Sequence, residues 1–234
     1  MHCAAPANFV IYGPPSPLMI STQHTLVARL KENASVADWE RFYRLYEKPI
    51  LAIAAWKNLS EADCRDVLQE TMIKMFRFGF ARYDKEKGRF TPFLFGIARD
   101  CTIDALRRNI RKLSREKISG DGLSRDGHLE PIVDPNPRPD SVAEIHGQRA
   151  LILTALEFLV AQGVFARKTA DMFKALAFAG KSPIDVAKIY KTSRGNVDQA
   201  KSAVLKKLRP MYEALDQGMD LEQAYAHAIG QPNL

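Results

Sequence analysis

Between Ile118 and Ser141 the chain loses the apolar periodicity that runs through most of its length. Gly120, Gly122, Gly127, Pro131, Pro135, Pro137 and Pro139 fall in that gap, with acids throughout. Glycine and proline at this density end any helix or strand, so residues 118–147 read as an acidic linker. The flanking stretches must then pack separately. Both space their apolar residues three and four apart, the helical period. The expected fold class is all-α: two helical domains, an N-terminal helix bundle (24–117) and a C-terminal helix-turn-helix domain (148–210), followed by an acidic helical tail (211–234).

Charge follows the same division. Residues 24–117 hold 20 basic and 13 acidic side chains, and residues 118–147 hold 2 and 6. Residues 148–210 hold 12 and 4, and residues 211–234 hold none and 4. Two basic blocks alternating with an acidic joint and tail suggest two surfaces turned towards a polyanion. A generally basic protein would not alternate in this way.

Other classes are disfavoured early. No stretch approaches the roughly 20 apolar residues of a membrane span. The N-terminus lacks the charged n-region of a secretory signal, so a cytoplasmic product is expected. Residues 1–23 carry Pro6, Pro14, Pro15 and Pro17 and no Lys, Arg, Asp or Glu, and they read as a flexible leader in which Met19 is an alternative start. There is no His-Glu-x-x-His, no phosphate-cradling glycine loop and no Cys/His metal spacing. An enzyme is therefore not expected, and neither a cofactor nor a metal is implied. Cys3, Cys64 and Cys101 form no C-x-x-C pair, and the last two fall on helix faces that should be buried. They read as reduced core thiols.

In the first block, His24 to Lys31 predicts a short helix. Ser35 caps a longer one through Trp56, with Trp39, Phe42, Leu45, Tyr46, Ile50 and Ile53 inward and a kink at Pro49. Ser60 with Asp63 three residues on, an acidic variant of the capping box, opens a third helix. At about 100° per residue, Cys64, Val67, Leu68, Thr71 and Met75 share the buried face. Asp66, Gln69, Glu70, Ile73 and Arg77 lie opposite. A polar face with one bare isoleucine is as a rule solvated surface; a docking partner is the alternative.

Beyond it, Phe78, Phe80, Tyr83, Phe90, Phe93 and Phe95 interleave with Arg77, Arg82, Lys85, Lys87 and Arg89. Rings that stack on bases, beside cations that hold phosphates, suit single-stranded nucleic acid, although some of these rings must be core. Phe93 to Arg108 reads as a second amphipathic helix. It buries Leu94, Ile97, Ala98, Cys101 and Ala105, and turns Arg99, Asp100, Ile103 and Arg107 outward. Arg107 to Lys117 then packs six cations into eleven residues, a candidate for phosphate contact.

In the second block, Ala143 to Gln162 and Arg167 to Ala179 are helical. Ser182 caps a short helix with Pro183 at its first position and Val186, Ala187 and Tyr190 inward. After a short turn, Ser193 caps a helix burying Val197, Ala200, Val204 and Leu208. This spacing is that of a helix-turn-helix, whose second helix presents Arg194, Asn196, Asp198, Gln199, Ser202 and Lys206.

The combined pattern resembles the sigma-70 family of bacterial RNA polymerase initiation factors, most of all the extracytoplasmic-function (ECF) type. The matching residues are Phe42-Tyr-x-x-Tyr46, Asp63-x-x-Asp-Val-x-Gln-Glu70 with Phe76, and Phe90-x-x-Phe-Leu-x-x-Ile-Ala-Arg-Asp100 running to Asp104-x-Leu-Arg-Arg108. In the second block they are Phe173, Pro183-x-x-Val-Ala187, Val197 and Ala200-Lys-Ser-x-Val-Leu-x-x-Leu-Arg209.

This resemblance implies a sigma factor that binds core RNA polymerase and directs promoter-specific initiation, without catalysis of its own. Asp66, Gln69, Glu70 and Ile73 would meet the clamp helices of the polymerase's largest subunit. Phe90, Phe93, Arg99, Asp100, Ile103, Arg107, Arg108 and Arg111 would melt and read the −10 promoter element, with a flipped base stacked in the aromatic loop. The helix-turn-helix residues would read the −35 element. The sequence departs from the family in three places: Phe93 stands where a tryptophan is usual, Asp100 where asparagine is common, and Ala203 where relatives often carry arginine. The acidic tail reads either as an internal regulator or as a dock for an anti-sigma factor. The alternative function is a stand-alone helix-turn-helix transcriptional regulator, which would have no use for the Ile73 face.

Overall fold

The structure is a computed structural model that describes residues 25–32, 34–119 and 142–230, the side chains of residues 113 and 115–119 excepted. The leader and residues 120–141 of the acidic linker lie outside the described residues, while residues 118–119 and 142–147, read as linker from the sequence, are helical. Every regular element among those described is a helix. None is long and apolar enough to cross a membrane.

Two compact units divide the described chain, one built from Ala34–Leu151 and the other from α1 (Leu26–Glu32) with residues from Ile152 onward. In the first unit, α2 (Val36–Ala55) begins at a full capping box between Ser35 and Asp38 and continues through Pro49, which is buried. Phe42, Leu45, Tyr46, Ile50 and Ile53 are almost wholly buried, as their spacing predicts. α3 (Glu61–Lys74) is capped by Ser60, whose Oγ accepts the Asp63 N–H at 3.1 Å. The reciprocal half of the box does not form. The Asp63 carboxylate instead accepts from Ser60 Oγ at 2.6 Å and from Asn109 Nδ2 at 3.0 Å.

α3 runs into a π-helical turn, Met75–Gly79, in which the Phe80 N–H donates to Met75 O, five residues back. One extra residue per turn rotates the helix beyond it. Phe76 and Phe78 therefore face outward, while Phe80, at the start of the short α4 (Phe80–Arg82), turns into the core. There its ring packs edge-on to Phe42 at 5.2 Å and parallel to Phe90 at 6.0 Å. Phe42–Tyr46 and Tyr46–Phe90 complete the cluster. Phe90 opens α5 (Phe90–Ser119), which buries Leu94, Phe95, Ala98, Cys101 and Ala105 against α2 and α3. Cys64 and Cys101 are free, buried thiols, and burial pushes both up from the ordinary thiol range.

α6 (Val142–Ala161) gives its residues up to Leu151 to this unit. A side chain at Gly147 would press within 3 Å of Ile53 and Phe95, so only glycine allows the helix this close. The rest of α6 belongs to the second unit with α7 (Arg167–Ala177), α8 (Pro183–Ile189), α9 (Arg194–Asp216) and α10 (Leu221–Ile229).

The grouping read from charge changes at two ends. Leu26–Glu32 was expected with the first basic block, but Leu26, Val27 and Leu30 are buried in the second unit. There the Val27 N–H donates to Gly218 O at 3.1 Å, and Arg29 pairs with Asp220 at 2.9 Å. Gly218 holds φ +88° with Val27 where a Cβ would be, so only glycine fits that corner. The acidic tail likewise has no boundary at residue 210. α9 runs unbroken through Pro210 to Asp216, and α10 folds back on it, with Tyr225 against Phe158. Asp220 caps α10 in a box with Gln223, so two of the four tail acids, Asp216 and Asp220, are buried within the fold.

Candidate functional site

The α3–α5 pair presents two surfaces. On α3, Cys64, Val67, Leu68 and Thr71 are buried, which leaves Asp66, Gln69 and Ile73 on the outer side. Ile73 is 51% exposed, an apolar side chain that the fold itself leaves uncovered. Phe76, one turn on, is 69% exposed with its ring against Trp39 at 5.3 Å. Its place beside Ile73 was missed in the sequence, although the i,i+3 spacing carried that signal.

Glu70 sits at the edge of this face and is only half-exposed. Its carboxylate takes Lys74 Nζ at 3.1 Å on one oxygen and Arg108 Nη2 of α5 at 3.2 Å on the other. Burial works to raise its pKa, but hydrogen bonds from Lys74 and Arg108 outweigh it and hold the carboxylate below its ordinary range. Of the four docking candidates, Asp66, Gln69 and Ile73 stand ready on the surface, while Glu70 is already engaged inside the protein.

Asp63, on the same helix pair, is also held below the ordinary carboxylate range, first by the Ser60 hydrogen bond and then by Asn109. A carboxylate depressed in the folded state adds stability above its unfolded pKa of about 3.9 and loses it as pH falls through the folded value. Asn109→Ala is therefore expected to lower the stability of this unit by about 1 kcal/mol at neutral pH. It should also narrow the difference between melting at pH 7 and at pH 3. An unchanged pH profile would show that the Asn109 bond does not hold the carboxylate.

The aromatic loop divides cleanly. Phe80, Phe90 and Phe95 are core. Phe90 is fully buried among Phe42, Tyr46, Phe80 and Tyr83, so its ring has no face left for a base. That corrects its place among the −10 residues: its position at the first turn of α5 points it at the bundle. Phe93 remains available, half-buried with its ring 5.5 Å from Tyr83. Phe78 is exposed and carries the Arg82 guanidinium 4.8 Å from its ring centre.

Along α5, Asp100, Arg107, Arg108 and Arg111 are exposed, and Arg99 and Ile103 are half-buried. Asp100 accepts from Arg99 Nη2 at 3.1 Å. Arg107 lies 3.5 Å from Asp104, and Arg111 donates to the Arg107 carbonyl at 3.2 Å. These ion pairs are exposed and weak, so a phosphate can replace the acid at little cost. Arg115 and Lys117 fall among the side chains outside the described residues.

In the second unit, Ser182 and Ser193 cap α8 and α9 as the sequence predicts, accepting from Asp185 and Asn196 N–H groups at 3.2 and 3.1 Å. Val186, Ala187, Val197, Val204 and Leu208 are buried; Tyr190 and Ala200 are half-buried against the same core. Arg194, Asn196, Asp198, Gln199, Ser202 and Lys206 are all exposed. Arg194, Asp198, Ser202 and Lys206 form one row at four-residue spacing. Asn196 turns its Nδ2 back to Thr192 Oγ1 at 3.1 Å, which takes its amide into the helix cap.

Comparisons with known proteins give two matches. Residues 42–112 match the family model for Sigma-70 region 2, a span that begins in α2, includes α3 and ends in α5. The chain is also 26% identical over 106 residues to the ECF RNA polymerase sigma factor SigE of Mycolicibacterium smegmatis. That match covers 45% of this chain and 38% of the relative's length. No solved structure matches. The region 2 span holds both the uncovered Ile73 face and the cationic face of α5, and over that span the chain is similar to the sigma-70 family.

Proposed function

We propose that this protein is a sigma factor of the ECF type, which binds core RNA polymerase and directs it to particular promoters. The observation that carries the reading is the helix pair α3–α5, which offers an uncovered apolar residue among acids on one side and a row of arginines on the other. A protein partner suits the first face and a phosphate backbone the second.

Asp66, Gln69 and Ile73, with Phe76 beside them, meet the clamp helices of the polymerase's largest subunit. Phe93, Arg107, Arg108 and Arg111 engage the −10 element, with Phe93 stacking a base lifted from the duplex; a stacked base recovers about 1–3 kcal/mol of the cost of unpairing. Asp100 acts through Arg99, holding its guanidinium rather than meeting DNA itself. The helix-turn-helix reads the −35 element through Arg194, Gln199, Ser202 and Lys206. Catalysis stays with the polymerase, and the work is done in the cytoplasm. Because Asp216 and Asp220 serve the fold, an anti-sigma factor that uses the tail would meet Glu213 and Glu222.

Run-off transcription with purified core polymerase and a promoter library tests the whole reading. The expected result is initiation from a defined subset of promoters, dependent on this protein. A folded protein that neither retains core polymerase in a pull-down nor supports initiation would leave a stand-alone DNA-binding regulator as the better description.

A further inference from the structure

Asp198 stands among Arg194, Gln199, Ser202 and Lys206 on the exposed face of α9, where a carboxylate facing DNA would repel the phosphate backbone. Its partner in the structure is Arg194, whose Nε lies 3.7 Å from Asp198 Oδ2, with side chains 69% and 52% exposed. Helix stability does not account for this pair. Arg194 is the first residue of α9, where the positive end of the helix dipole disfavours a cation. Base before acid at i,i+4 is also the weaker order for a helical ion pair. The contact is made on the Nε edge, which leaves both terminal amino groups of the guanidinium uncommitted to Asp198. Two parallel donors of that kind match O6 and N7 of guanine in the major groove.

We propose that Asp198 is a positioning residue that aims Arg194 at a guanine of the −35 element, so that the helix-turn-helix selects a G·C pair at one defined step. The inference rests on the proposed −35 reading. Arg194 lies at the N-terminal end of α9, the end of a recognition helix that reaches base edges. Asn196, the other polar residue of that turn, is engaged with Thr192 and leaves Arg194 as its base reader. A carboxylate 3.7 Å from Nε biases the exposed guanidinium rather than fixing it, and a bias towards the bound geometry before DNA arrives raises the discrimination against a wrong base, because less freedom is lost on binding.

The test uses holoenzyme reconstituted from the full-length chain and core RNA polymerase, on promoters randomised across the −35 element. The wild type is expected to favour guanine at one position by about tenfold, and Arg194→Ala to remove that preference. Asp198→Ala should lose most of the same preference, while its binding to mixed sequences stays equal or tightens because a negative charge has gone. Asp198→Glu, which can still span the i,i+4 interval, should restore part of it. Both side chains are exposed, so unchanged melting of each variant is expected and serves as the folding control. Preference retained in Asp198→Ala overturns the positioning role. So does a loss at a different base pair, which would instead mean that the carboxylate accepts directly from a cytosine amino group. A wild type indifferent to every position in the −35 window would overturn the −35 reading and this inference together. A wild type selective for a base other than guanine would overturn the inference alone.

Discussion

Ile73→Asp is expected to abolish retention of core RNA polymerase and leave the melting temperature of the free protein within a degree or two. Ile73 is half-exposed, so the free protein loses little packing when it is replaced, and surface changes of this kind usually fall within about 0.5 kcal/mol. At the interface the change is severe. A carboxylate would have to leave water for an apolar contact, on the face that already carries Asp66 and Glu70. Central interface residues cost about 2 kcal/mol or more when truncated, and a charge adds to that, so affinity should fall by about 30-fold at the least. Ile73→Ala should fall between wild type and Ile73→Asp, and Phe76→Ala should weaken retention in the same assay. Retention unchanged in Ile73→Asp would assign the docking surface to another face.

The second large effect separates two phenylalanines three residues apart. Phe90→Ala removes a fully buried ring from a cluster of four aromatics and should destabilise the first unit by about 3–5 kcal/mol. Stability of a small domain is about 5–15 kcal/mol, so the melting temperature should drop by tens of degrees and DNA opening should fail only because the unit unfolds. Phe93→Ala should do the reverse. Its ring is half-buried, so melting should shift little, while promoter opening falls about 5- to 100-fold with the loss of one stacked base. Permanganate reactivity of −10 thymines, read at a temperature where both variants are folded, distinguishes the two. Equal opening by Phe93→Ala and wild type would remove Phe93 from the site.

Helix caps and apolar periodicity were legible in the sequence because each depends on neighbours within a turn or two. Ser35, Ser60, Ser182 and Ser193 cap the helices they announce. The stripe from Cys64 to Met75 is buried as spaced. What could not be read depends on long-range packing. A ring beside cations looks the same in composition whether it faces solvent, like Phe76, or the core, like Phe90. The π-helical turn adds one residue without any compositional mark, so the inward turn of Phe80 was not foreseen. Charge misled at the ends: Leu26–Glu32 follows its apolar face, not its basic neighbours. In the tail, the Asp220–Gln223 spacing of a capping box was a local signal that the acids belong to the fold.

The carboxylate of Glu70, shared between Lys74 and Arg108, is a physical link between the two surfaces of the helix pair. A protein that takes hold of Glu70 competes with Arg108 for it, and a phosphate that takes Arg108 releases Glu70. Each ligand then favours the same rearranged state. If docking of polymerase, as proposed above, also draws Glu70 away from Arg108, reciprocity requires that polymerase and −10 DNA each raise the affinity for the other by the same factor. Glu70→Gln should shrink that factor in both directions, whereas Asp66→Asn, the same change of charge on the same helix, should leave it in place. Equal effects of the two substitutions would mean that net charge alone, and not the shared carboxylate, links the partners.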